Sequence, residues 1–225
     1  MNLKEYLKEN YPDINFEDIV FFDTETTGLE VSKGHRIVEF GAVTSSEYDE
    51  QISHHYFNPD RAIDKEAIET HGLTIERLEE EPEFYLRAVE IASFMYGRFV
   101  MAHNARFDVE FIDEEFKIAS RRLDKDIGTL SSNCVVIDTM SLAKLIFPGQ
   151  RHSLDALCNK LGVDKSSRKY HGALLDAMLL KEVFNKMLSC EISNAYDNDQ
   201  KPFYDEVPKL KIELKSRPRV VDFDM

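Results

Sequence analysis

Four apolar residues in unbroken succession, Ile19 to Phe22, run directly into an acid, Asp23, and then into the polar stretch TETTG. A strand with one wet face alternates apolar and polar residues, whereas a strand covered on both faces reads as a continuous apolar run. IVFFD therefore predicts a central strand between two layers, with an acid at its end. Arg36 to Thr44 (RIVEFGAVT) is β-branched and Ile52 to Phe57 (ISHHYF) alternates less cleanly. With short connections, these three runs predict an antiparallel meander.

Beyond the meander the period changes. Pro82 to Gly97 reads as helical with Phe84, Ala88, Ile91 and Met95 on one stripe, and Phe99 to Ala102 as a short strand. Phe107 to Ala119 reads as a helix with Phe107, Phe111 and Ile118 inward, and Val135 to Asp138 as a strand. Helical segments follow near Thr139 to Phe147, Ser153 to Leu161 and Ala173 to Leu188. A meander followed by βα units predicts an α/β fold: a five-stranded mixed sheet, antiparallel then parallel, with helices on both faces. In such sheets ligands sit beyond the strand ends.

The 225 residues, 43% of them apolar, fit one domain with appendages. The expected division is a helical lead-in over 1–18, a main domain over 19–190, and a linker with an edge strand or partner-binding segment over 191–225. Within that last part Lys209 to Lys215 (KLKIELK) alternates strictly. No stretch approaches the ~18 apolar residues of a membrane span. The first residues are charged rather than apolar, so the expectation is a soluble, cytoplasmic protein. Cys134, Cys158 and Cys190 are widely spaced without a CxxC pair, which predicts reduced thiols rather than a disulfide framework or a thiolate zinc site.

The net charge of -14 argues against a simple nucleic-acid binder, which would cluster Lys and Arg. Acids serve phosphate chemistry only where several converge to hold divalent cations. In DTETTG, Asp23 and Glu25 are two residues apart, and the strand period puts both carboxylates on one side. Taken alone, the pair reads equally well as a solvated strand-to-turn feature. Asp108, in AHNARFD, stands where a strand feeds a helix; alone, it would complement a helix dipole. His103 and Asn104 alone would cap or turn the chain. In YHGALLDA, Asp176 lies about a turn into an apolar helix, where a carboxylate is costly unless paired or metal-bound; its alternative is an exposed helix position. His171 alone reads as an ordinary hydrogen-bonded histidine. Together, the four acids suit a two-cation site with two Mg²⁺ or Mn²⁺ ions. With His171 able to accept a proton from water near its ordinary pKa of ~6.5, that is the equipment of phosphodiester hydrolysis.

FFDTETTG, GHRIVEFGAV, AIETHG, AHNARFD, FPGQRHSLDALC and YHGALLDA, in this order, resemble the DnaQ-like DEDDh 3′→5′ exonucleases. The last two segments look most like the epsilon-type proofreading subunits of bacterial DNA polymerase III. The resemblance runs from about Ile19 to Met187 and implies a ribonuclease H-like fold. It implies that Asp23 bridges both cations, that Glu25 and Asp176 complete one site, and that Asp108 supports the second partly through water. His171 is the implied general base. Thr26, Thr27, Gly28 and Leu29 would shape the slot for the terminal nucleotide, with Thr hydroxyls and backbone amides holding a 3′-OH. Glu66 and His71 would lie beside that slot, and His103, Asn104 and Phe107 would line its other wall.

The chain departs from the epsilon pattern in its lead-in, in a short loop at Glu30 to His35, and in its tail. In epsilon subunits the tail engages the polymerase, so Lys209 to Lys215 is the candidate for that contact, with an intramolecular edge strand as the alternative. The expected substrate is the 3′ end of DNA, favoured over RNA. An RNA-trimming or oligonucleotide exonuclease of the same fold, and a catalytically idle binding module, remain as alternatives.

Overall fold

A computed structural model of the chain describes residues 1–166 and 170–193. Five strands form one sheet: β1 (Ile19–Thr26), β2 (Ile37–Thr44), β3 (Ile52–Tyr56), β4 (Phe99–Ala102) and β5 (Val135–Asp138). Their order is β3-β2-β1-β4-β5. The β1–β2 and β2–β3 pairs are antiparallel, while β4 pairs in parallel with both β1 and β5. The apolar run of β1 thus lies at the centre of the sheet, and its odd and even residues enter different cores. Ile19 and Phe21 join one apolar cluster, Val20 and Phe22 the other. This is why no polar alternation is seen in IVFF.

Helices cover both faces. Over the even face lie α4 (Ala88–Met95) and α5 (Arg106–Leu123). Over the odd face lie α1 (Leu3–Asn10), α7 (Thr139–Ile146), α8 (Leu154–Leu161) and α9 (Ala173–Met187). Three short helices, Lys65–His71, Ile75–Leu78 and Leu130–Asn133, complete the set among the described residues; we number them α2, α3 and α6. The β2 strand admits α9 closely only because residue 41 is glycine. A Cβ there would fall 2.1 Å from the Leu174 amide nitrogen.

The stretch from Pro82 to Gly97 is divided, a 3-10 turn at Phe84–Leu86 preceding α4, and all four residues of its expected stripe are buried. Helix α5 corrects the sequence reading. Its buried face is Asp108, Phe111, Ile112, Glu115, Phe116 and Ala119, and Ile118 lies off it. Two of the inward positions are acids, which a stripe traced through apolar residues alone passes over. Glu115 is matched by Arg36, whose Nε and Nη2 reach its two carboxylate oxygens at 2.7 and 2.8 Å. Such a bidentate pair satisfies a charge that would otherwise be costly to bury.

The lead-in helix α1 packs into the main core through Leu3 and Leu7, both fully buried. An Asn2–Glu5 capping box starts it. Backbone bonds from Leu3 N to Cys190 O, Lys4 N to Leu188 O and Ile192 N to Met1 O tie this end to the residues after α9. Cys134 and Cys158 are buried free thiols and Cys190 is partly buried. The Lys209 to Lys215 segment lies outside the described residues.

Candidate active site

The C-terminal end of β1 distributes three consecutive polar side chains by the strand period. Asp23 and Glu25 point to the α9 face, and Thr24 points to the α5 face. Thr24 donates to Asp108 Oδ1 from its amide (3.0 Å) and from its hydroxyl (2.7 Å), which brings the first-turn acid of α5 to the strand end. Asp108 is almost completely buried; burial pushes its carboxyl up to about 7, although the Thr24 bonds favour the charged form.

On the other face, oxygens of Glu25 and Asp176 and a ring nitrogen of His171 lie within 4.8 Å of one another. His171 Nδ1 is 3.2 Å from Asp176 Oδ2; the imidazole is 47% exposed while the Asp176 carboxylate is 5% exposed. Asp23 stands among them all. Burial first, and then the charges of Asp108, Glu25, Asp176 and Glu39, hold its carboxyl well above the usual carboxylate range. A set of closely spaced, largely buried hard oxygen donors that repel one another is a donor set suited to divalent cations, whose charge reverses that repulsion.

The other sequence candidates fall into three groups along the chain. Thr26 and Thr27 are buried, and their hydroxyls are engaged within their own loop. Thr26 Oγ1 donates to Gly28 O at 2.7 Å, while Thr27 Oγ1 accepts from Arg36 N and lies 3.0 Å from His35 Nδ1. These bonds from the two hydroxyls hold the loop's backbone in shape. Gly28 is enclosed: a Cβ would meet His35 Cε1 at 2.3 Å and Asp64 Oδ2 at 2.7 Å. Leu29, at the rim, is 80% exposed.

His71, at the end of α2, accepts from Leu73 N at Nδ1 (3.0 Å), so its proton sits on Nε2, which faces Thr26 O at 3.2 Å. Burial lowers its pKa and favours this neutral tautomer. The same helix end accepts the His171 amide at Thr70 O, 3.2 Å away. Glu66 is exposed on α2.

In the third group, both nitrogens of His103 are engaged, Nδ1 with Thr139 Oγ1 (3.0 Å) and Nε2 with the His152 carbonyl (2.6 Å). Asn104 is exposed with a left-handed backbone (φ 68°), its amide donating to Asp138 Oδ1 at 2.8 Å. Phe107 packs on Phe111 with ring centroids 4.9 Å apart. Sequence reasoning passed over Thr24, Asp138 and Glu39. For Glu39 the signal was present: an acid in the middle of the otherwise apolar IVEFGAV anomalous in the same way as Asp176.

The model of the RNase T exonuclease family matches residues 20–184. The chain belongs to this exonuclease family. The DNA polymerase III subunit epsilon of Haemophilus influenzae is 40% identical to the exonuclease over 193 residues, 83% of this chain and 73% of that one. Among solved structures, exonuclease I superposes with a TM-score of 0.62 at 18% identity, covering 78% of this exonuclease and 41% of that chain. Exonuclease X in complex with 5′ overhanging duplex DNA superposes at 0.54 and 24% identity, covering 76% and 97%. At these identities the two structures speak for the shared ribonuclease H-like fold.

Proposed function

We propose that this exonuclease removes nucleotides from the 3′ end of single-stranded or frayed DNA, releasing nucleoside 5′-monophosphates, as the proofreading nuclease of a replicative polymerase. The observation that carries the reading is the convergence of Asp23, Glu25, Asp108 and Asp176, from β1, α5 and α9, beside a half-exposed imidazole. Its setting is a chain 40% identical to a polymerase III epsilon subunit.

In this reading Asp23, Glu25, Asp108 and Asp176 would together hold two divalent cations, Mg²⁺ or Mn²⁺. When bound, the cations supply Lewis acidity to the attacking water and to the scissile phosphate. His171 supplies the base. With Nδ1–H directed at Asp176 Oδ2, 3.2 Å away, the neutral imidazole carries its lone pair on Nε2, the atom that would take the proton of water. The Thr26–Leu29 loop, its hydroxyls engaged internally, offers backbone groups to the terminal sugar. Exposed Leu29 and the Phe107 ring offer apolar surface to an unpaired base.

Mispaired ends fray more readily than paired ones, so a narrow site that admits only unpaired nucleotides selects errors. An exonuclease with a charge of -14 captures DNA poorly alone at physiological salt, and tethering to a polymerase through residues beyond 193 would restore a high local concentration. No helix among the described residues is long and apolar enough to cross a membrane. The test is degradation of end-labelled single-stranded DNA, single-stranded RNA and mispaired duplex, with Mn²⁺ and EDTA arms. Release of 5′-mononucleotides from DNA that EDTA stops supports the reading. A strong preference for RNA would overturn proofreading, and no release at all would leave a binding module.

A further inference from the structure

Across the sheet, one row on the α9 face reads Glu25, Glu39, Tyr56 and the next reads Asp23, Gly41, His54, from β1 through β2 to the edge strand β3. Glu39 is therefore the cross-strand neighbour of Glu25. Like charges in that relation are destabilising. Yet Glu39 is almost wholly buried, on a strand every residue of which is buried.

Its carboxylate is held from the outer side. His54 Nε2 lies 2.8 Å from Glu39 Oε1, and since a carboxylate only accepts, the imidazole donates. Tyr56 is the cross-strand neighbour of Glu39 on β3, and burial together with the Glu39 charge raises the pKa of its phenol. Tyr56 in turn stacks edge-on with His54 at 4.9 Å and carries the Arg77 guanidinium over its ring at 5.0 Å. Both Glu39 oxygens face Gly172, each 3.9 Å from where a Cβ of that residue would be. Gly172 is the N-cap of α9, without a capping side chain of its own, and it directly follows His171. Two residues along β2, Gly41 receives the first turn of α9 in backbone contact. One strand thus seats both the start of α9 and the residue before it.

We infer that Glu39 is a positioning residue: held by His54 on the edge strand and flanked there by Tyr56, it packs against Gly172 and thereby fixes the imidazole of His171 against Asp176. The inference rests on the reading of His171 as general base. In this role Glu39 touches neither substrate nor the reacting atoms. It acts through the turn that carries the base, and the clamp begins on the exposed edge of the sheet.

The experiment uses the full chain, with kcat and KM measured on single-stranded DNA in Mn²⁺, and with histidine-ring ¹H–¹⁵N spectra recorded without cation. Wild-type turnover and an inactive Asp23→Asn variant establish the underlying reading first. Glu39→Ala is expected to lower kcat by ~10-fold or more, the usual consequence of losing an outer partner, with KM within ~2-fold. The His171 ring resonances should shift or broaden. Glu39→Gln, which keeps the shape and the acceptor, should recover kcat to within ~3-fold of wild type. His54→Ala, at the exposed edge, should give a smaller loss of the same kind, and it carries the test if Glu39→Ala does not fold.

Wild-type kcat in both Ala variants, or a change confined to KM, would overturn the proposal. So would a Gln variant as slow as the Ala variant, which would assign the effect to charge rather than position. If the wild-type protein releases no mononucleotide, the functional reading fails by itself. The His171 resonances then decide positioning alone: unmoved in Glu39→Ala, they sink it.

Discussion

Thr24 and Asp108, 84 residues apart in sequence, meet through two hydrogen bonds to one carboxylate oxygen, from the Thr24 hydroxyl at 2.7 Å and its amide at 3.0 Å. The residue between the two strand acids thereby carries the third acid, so one turn of strand organises both faces of the site.

Replacing that hydroxyl separates its contribution from the amide's. Thr24→Val keeps the shape and the backbone bond, and should cost about 1 kcal/mol in denaturant unfolding. With Asp108 held by a single bond, kcat should fall by ~10-fold. Unaltered turnover on single-stranded DNA would mean that the amide alone suffices.

The cation-free site should make the protein less stable as pH rises. Asp23 is held well above the carboxylate range by burial and by its acidic neighbours, and Asp108 is pushed to about 7, chiefly by burial. A carboxyl whose folded pKa exceeds its unfolded value of ~3.9 binds its proton more tightly when folded. Its contribution is complete below the unfolded value and is lost as pH rises through the folded one. In EDTA, Tm should therefore fall from about pH 5 to about pH 8. Mn²⁺ should reverse the fall. Asp23→Asn should melt higher than wild type in EDTA at the upper end of this range, gain nothing from Mn²⁺, and lack activity. A flat Tm profile in wild-type protein would contradict the charge balance described for the site.

His171→Ala should lower kcat by ~10² or more, because the water loses its proton acceptor. The thermal upshift with Mn²⁺ should persist, since the carboxylates remain. Loss of that upshift would instead make His171 a cation ligand, an arrangement that its place within 4.8 Å of Glu25 and Asp176 oxygens permits.

Gly41→Ala tests how α9 is seated. The added methyl would fall 2.1 Å from the Leu174 amide nitrogen, a backbone atom that cannot rotate away. Overpacking of this kind costs about 3 kcal/mol or more, at the upper end of its range. Because α9 carries Asp176, activity should fall along with Tm.

Much of this arrangement was legible from residue patterns, and the exceptions share a cause. Four of the five strands stand out because buried strands leave continuous apolar or β-branched runs, IVFF above all, whereas β3 (ISHHY), at the exposed edge, shows only an imperfect alternation. Asp176 stands out because an acid among Ala173, Leu174, Leu175 and Ala177 has no ordinary reason to be buried. Glu39, Glu115 and Asp108 obey the same logic, yet a stripe traced through apolar residues steps over Glu115 and promotes Ile118 in its place. Helix α2 (Lys65–His71) is seven residues long and too short to show a period. The hydroxyls of Thr26 and Thr27 looked free for substrate because their partners, Gly28 O and the His35–Arg36 segment, are set by the path of the loop.

Residues 1–4 and 188–192 are laced together by backbone bonds, and the Met1 ammonium lies 3.0 Å from a Glu191 carboxylate oxygen. Anything fused ahead of Met1 therefore sprouts from the same corner as whatever follows Ser193. A bulky amino-terminal affinity tag would crowd the root of the segment that the tethering scheme assigns to the polymerase. Pull-downs with such a fusion would under-report that contact, and a cleavable tag, removed before mixing, is the fair design.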